Sequence, residues 1–103
     1  MWLLDTNALI TCHKFSNMKL IKKKYTFTTI FCIMEFPIAA KYKEILVYYP
    51  SAINYREGLK YAIKLRKNGI PIPAIDILIG TIAVDKNIHL VTDDVHFKLF
   101  NIV

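Results

Sequence analysis

The sequence has little of what makes a linker, a tail or a disulfide scaffold. Its 103 residues include only three glycines, four prolines and two cysteines. There is no repeat, no Gly/Ser tract and no low-complexity segment, so glycine and proline act as punctuation and nothing divides the chain into domains. Cys12 and Cys32 belong to no CxxC motif and no Cys/His cluster. That pattern fits small buried thiols in a reducing compartment and argues against a zinc site or a disulfide framework. No apolar run reaches the ~20 residues of a membrane-spanning helix. The longest, Tyr25 to Ala40, is interrupted by Glu35 and Pro37. The opening Met1-Trp2-Leu3-Leu4-Asp5 shows no basic leader and no small-residue cleavage site, so no signal peptide and a cytoplasmic location are expected. Acid is scarce as well: eight Asp and Glu face fourteen Lys and Arg, and no acid at all lies between Asp5 and Glu35.

What is present is apolar. At 54% hydrophobic residues the chain is far from a disordered composition, and residues 1–103 are expected to form one compact domain. The net charge of +6 is large for so short a chain. It favours polyanionic partners, nucleic acid first and an anionic membrane surface second.

Along the chain, Trp2-Leu3-Leu4 reads as a buried strand that stops at the turn-favouring Asp5-Thr6-Asn7 and feeds a helix from about Ala8. Tyr25-Thr26-Phe27-Thr28 is a second strand, after which Thr28 or Thr29 caps a helix carrying Phe31, Met34 and Glu35. Pro37 should bend or shorten that helix. Ile45 to Tyr49 is β-like and ends at Pro50. From Ser51 or Asn54 to about Asn68-Gly69 the pattern is an amphipathic helix, with Tyr55, Leu59, Ala62, Ile63 and Arg66 expected on its inner face and Lys60, Lys64 and Lys67 on the other. Gly69 is placed to close it. Residues 74–84 are apolar nearly all round, as in a helix covered on several sides, with Asp76 in its first turn. Ile88-His89-Leu90-Val91 is a short buried strand closed by Thr92-Asp93-Asp94. Strands alternating with helices predict an α/β fold, a three-layer sandwich around a parallel sheet of four to five strands.

In such a sheet, ligands meet the carboxyl ends of the strands. Asp5, Glu35, Asp76 and the Asp93-Asp94 pair all follow strands or open helices expected at that edge. Carboxylates crowded there repel one another, and a shared cation relieves the repulsion. Oxygen donors without nearby Cys or paired His favour Mg²⁺ or Mn²⁺ over zinc. An acidic metal pocket in a basic surface suits hydrolysis of a phosphodiester by metal-activated water. Each acid also has a plain structural reading: Asp5 and Asp76 as helix caps, Glu35 and Asp94 as exposed charges.

These residues also carry a resemblance. Leu3-Leu4-Asp5-Thr6-Asn7-Ala8-Leu9-Ile10 resembles the opening motif of the PIN-domain family, Ile75-Asp76-Ile77-Leu78-Ile79-Gly80-Thr81-Ile82-Ala83 its central motif, and Leu90-Val91-Thr92-Asp93-Asp94-Val95-His96-Phe97 its closing stretch. Glu35 falls where that family has its second acid. The resemblance implies a PIN-like nuclease fold with a Mg²⁺- or Mn²⁺-dependent endoribonuclease site, often the toxin half of a VapBC-type toxin–antitoxin pair. It implies Asp5, Glu35, Asp76 and Asp94 as the acidic quartet, with Asp5, Asp76 and Asp94 on the metal. Thr6 or Asn7, and Thr92, would orient ligands or water, and Asp93 would stand beside the quartet. RNA is the implied substrate, and an antitoxin protein and a second copy of the chain are the implied protein partners. The chain departs from the pattern between Glu35 and the strand near Ile45, where about nine residues replace a helical hairpin; it reads as a short member.

Three function classes are therefore weighed: the endoribonuclease; a catalytically inactive PIN-like module that binds RNA or a protein partner; and aspartyl phosphotransfer of the haloacid dehalogenase type. The last needs a second Asp two positions after the nucleophile, where this chain has Asn7. Lys22, Lys23 and Lys24 are candidate phosphate contacts or an ordinary solvated loop. His13, His89 and His96 are scattered and read as unpaired. Tyr48 and Tyr49 are candidates for stacking on bases.

Overall fold

A computed structural model of the chain describes residues 1–14 and 26–92. The described residues form two compact units: residues 1–14, 26–49 and 88–92 make one, and residues 50–87 make the other. The fold is α/β. In the first unit, strands β1 (Trp2–Leu4), β2 (Thr26–Thr29), β3 (Leu46–Tyr48) and β4 (His89–Val91) form one parallel sheet in the order β3-β2-β1-β4. Leu3 pairs with Phe27 on one side and with Leu90 on the other, so β1 is central. A strand flanked on both sides has to be apolar along its length, which is why Leu3 and Leu4 are 0% and 2% exposed.

Helix α1 (Thr6–Lys14) follows β1 directly, two residues earlier than its apolar pattern predicts. Asp5 explains the early start, because it supplies the cap. After β2, Thr29 caps the short helix α2 (Ile30–Glu35), its hydroxyl accepting from the Cys32 amide at 3.3 Å. The helix ends at Glu35, two residues before Pro37, and a 3₁₀ segment, Pro37–Lys41, replaces it; proline has no amide hydrogen to continue an α-helix. Leu9, Phe27, Cys32, Ala39, Ile45 and Ile88 complete the buried core of this unit.

The second unit is an antiparallel pair of helices, α3 (Ala52–Lys67) and α4 (Ala74–Lys86). Ser51 and Asn54 form a reciprocal capping box at the start of α3. At its end, the Gly69 amide donates to Arg66 O and the Ile70 amide to Leu65 O. With Gly69 at φ +73°, this is the expected glycine cap in Schellman form.

The face that α3 buries is not the one its hydrophobic pattern predicts. Tyr55, Leu59 and Ile63 are 51%, 61% and 49% exposed, and Arg66 is exposed too; Asn54, Gly58 and Leu65 are buried instead. Close approach between the helices explains the difference. A Cβ placed on Gly58 would lie 3.2 Å from Leu78 Cδ2 and 3.6 Å from Thr81 Oγ1, so the absence of a larger side chain lets α4 come this near. Asn54 adds a polar tie, its Nδ2 donating to Asp85 Oδ2 at 3.3 Å. Helix α4 meets its expectation more closely, burying Ile77, Ile79, Gly80, Thr81, Ile82 and Ala83. Among the described residues, no helix is long and apolar enough to cross a membrane.

Candidate functional site

The strand order locates the site. From β1 the chain runs to β2 and β3 on one side, and β4 returns to lie on the other. The order therefore reverses between β1 and β4, a topological switch point of the kind beside which α/β sheets bind ligands. The residues just past the two carboxyl ends are Asp5 and Thr92.

Asp5 is 5% exposed. Its Oδ1 accepts from the Ala8 amide at 2.8 Å, and its backbone carbonyl accepts from the Leu9 amide at 3.0 Å, which makes it the cap of α1. Its Oδ2 accepts from the Thr92 hydroxyl, and the Asp5 amide donates to Val91 O at 3.4 Å. The carboxylate is thus held from both sides of the switch point, by the first turn of α1 and by the residue that ends β4. Each carboxylate oxygen has two lone pairs, and one hydrogen bond is described for each, so acceptor capacity remains for a further ligand. The carboxylate also sits at the N-terminal, positive end of the α1 dipole, as suits a helix cap.

Neighbouring hydroxyls stiffen the frame. Thr26, Thr28 and Thr29 of β2 are 0–1% exposed. Thr28 donates to Leu4 O at 2.8 Å, fixing the end of β1 immediately before Asp5. Thr29 Oγ1 also donates to Cys32 Sγ at 3.3 Å.

The other expected site residues are distributed as follows. Thr6 is half-buried and Asn7 exposed in the first turn of α1. Glu35, the last residue of α2, is exposed. Asp76 belongs to the second unit, half-buried in the first turn of α4, whose cap, Pro73, offers no side-chain acceptor. Asp93, Asp94, His96 and Lys22, Lys23 and Lys24 lie outside the described residues. Asp5 and Thr92 are therefore the expected pair that the structure joins. Among the described residues, no three His, Cys, Asp or Glu side chains form a group able to hold a metal ion.

Two expectations about other residues change. His13 is not unpaired: its Nδ1 shares a hydrogen bond with the Tyr42 hydroxyl, and its ring meets Phe36 edge-on at 5.6 Å. Twenty-nine positions separate His13 from Tyr42, so no local pattern announces the pair. Tyr48 stacks on Phe27 at 4.8 Å and serves the sheet, whereas Tyr49 is 70% exposed. Thr28 lies outside the sequence motifs, although its place in a Thr-rich strand marks it as a buried hydroxyl in need of a partner. No family model, no curated protein and no solved structure matches the chain.

Proposed function

We propose that the protein is a divalent-metal-dependent endoribonuclease built on a PIN-like, three-layer α/β architecture, hydrolysing RNA phosphodiester bonds as the toxin of a toxin–antitoxin pair. One observation carries the reading. A buried aspartate, oriented by a threonine hydroxyl and a helix amide, stands at the switch point of a parallel sheet in a chain of net charge +6.

The donor chemistry of this pair fits a hard cation. Asp5 offers carboxylate oxygens in a buried position, and Thr92 occupies one acceptor direction of Oδ2. Bound Mg²⁺ or Mn²⁺ would supply an activated water and neutralise charge at the phosphate. Asp5 would be its central ligand, joined in the proposal by Asp76 and Asp94, with Glu35 as the fourth acid and Asp93 beside it. Thr92 would orient the Asp5 carboxylate through its hydrogen bond. The α1 N-terminus, where Thr6 and Asn7 lie, presents positive potential to an anionic ligand. Lys22, Lys23 and Lys24 would hold the RNA backbone.

The competing reading is a module that binds RNA or protein without catalysis. It draws on one fact, that both oxygens of Asp5 already accept hydrogen bonds that stabilise the fold. Incubating purified protein with a mixed-sequence RNA and Mn²⁺ separates the two. Endonucleolytic cleavage that disappears with excess chelator and in Asp5→Asn and Asp76→Asn supports the nuclease. Cleavage that persists in chelator refutes metal dependence, and RNA binding without cleavage at any metal concentration favours the module. Replacing Lys22, Lys23 and Lys24 with Ala should flatten the salt dependence of RNA binding by up to about three ion equivalents.

A further inference from the structure

The exposed side of α3 is built of two rows. Tyr55, Leu59 and Ile63, spaced i, i+4, i+8, form an apolar row about 12 Å long, and each is roughly half exposed or more. Arg66 continues this row at its C-terminal end. Arg56, Lys60 and Lys67 run beside it, with Lys64 next to them, and all of these bases are exposed. The helix holds one acid, Glu57, which pairs with Lys60 at 3.1 Å. The opposite side of α3 is occupied by α4, through Gly58 and Asn54.

An apolar row on a helix that already has a buried face elsewhere has no folding role within that helix pair, and exposed apolar rows with charged borders mark contact surfaces. We propose that this face docks an amphipathic helix of a partner protein whose apolar seam is bordered by Asp and Glu. Charge selects among the occupants. A second copy of this chain, meeting the same face by two-fold symmetry, would set Arg56, Lys60, Lys64, Arg66 and Lys67 against themselves. RNA suits the basic row and Tyr55 offers it one ring, but Leu59 and Ile63, the rest of the apolar row, offer none on which a base can stack. A membrane-lying helix needs a broad apolar face with its bases opposite; here the apolar row is one residue wide, the bases lie directly beside it, and the opposite face is filled by α4. An acidic amphipathic helix satisfies both rows at once, its seam covering Leu59 and Ile63 and its carboxylates meeting Arg56, Lys60 and Lys67. This inference is independent of whether the Asp5 site is catalytic.

The test uses the full chain and two synthetic helical peptides with the same leucine seam, one bordered by Glu and the other by Lys, titrated while backbone amides are followed by NMR. The expected result is shifts concentrated at residues 55–67 and an affinity for the Glu-bordered peptide about tenfold or more above that for the other. Leu59→Ser should weaken this binding about tenfold while leaving the thermal melt unchanged, since Leu59 is 61% exposed. Lys60→Glu with Lys67→Glu should invert the preference between peptides, a result that loss of folding cannot produce. Equal affinity for the two peptides, or indifference to Leu59→Ser, overturns the proposal. So does stronger binding at these amides by poly(U) or by phosphatidylcholine–phosphatidylglycerol vesicles, or dimerisation of the free chain through them.

Discussion

Asp5 has a structural task and a proposed chemical one, and two substitutions separate them. Asp5→Ala removes the acceptor for the Ala8 amide, a cap worth about 1 kcal/mol, and the acceptor for the Thr92 hydroxyl, a bond to a charged group worth about 1.5 kcal/mol. Thr92 is half-buried, so water recovers part of the second loss. A net destabilisation of about 2 kcal/mol follows, which for a chain of this size lowers Tm by roughly 8–16 °C. Asp5→Asn is nearly isosteric: its Oδ1 still caps α1, and its amide nitrogen can donate to Thr92 where the carboxylate accepted from it. The remaining loss is the charge–dipole attraction at the helix start, about 0.5 kcal/mol. Melting both variants by circular dichroism, with RNA cleavage measured in parallel, should show Asp5→Asn folding almost as the wild type while losing cleavage, and Asp5→Ala losing both stability and cleavage. If Asp5→Ala melts within about 2 °C of the wild type, or Asp5→Asn falls as far as Asp5→Ala, the capping geometry is wrong. If Asp5→Asn still cleaves fully, the proposed chemistry is wrong.

Other outcomes follow from the same structure. Asn54→Ala removes half of the capping box and the bond to Asp85, and should cost about 1–2 kcal/mol in urea unfolding. At Gly58, Ala adds a carbon that the tip of Leu78 can accommodate and gains helix propensity, so its stability should stay within about 1 kcal/mol of the wild type. Gly58→Val should lose about 1–3 kcal/mol through overpacking, and a stable Val variant would contradict the close approach of α3 and α4. Burial pushes the Cys12 thiol up from its ordinary value by desolvation. Its folded pKa therefore lies above the unfolded one, so this contribution to stability is complete below the unfolded thiol pKa and is lost as pH rises through the folded value. Stability should decline on the alkaline side, less so in Cys12→Ser. Iodoacetamide should modify Cys12 more slowly than a free cysteine, and Cys32, fully buried, only on unfolding.

Local signals made most elements legible. The β-branched and aliphatic runs at residues 2–4, 26–29, 46–48 and 89–91 are strands because such residues suit a pleated surface. Thr29, Ser51 and Gly69 act where their side chains, or the lack of one, meet unpaired helix-end groups. Asp5 and Thr92 were legible as members of one site because each follows a strand of a sheet whose parallel sense the alternation predicts. The inner face of α3 was not legible. Periodicity ranks faces by hydrophobicity, whereas the fold ranked them by how closely a neighbour could approach, and Gly58 outweighed Tyr55, Leu59 and Ile63.

The sequence by itself determined the strands, the helix caps, the scarcity of acid and the positions at which carboxylates follow strands. These depend on interactions within a few residues, which fixed local geometry encodes. Tertiary structure alone decided that β4 returns beside β1, so that Thr92 reaches a carboxylate 87 positions away, and that His13 meets Tyr42. It also decided that the apolar row of α3 is left facing outward. Such outcomes depend on which surfaces fit closely enough to exclude water, a property of paired shapes that no single segment carries.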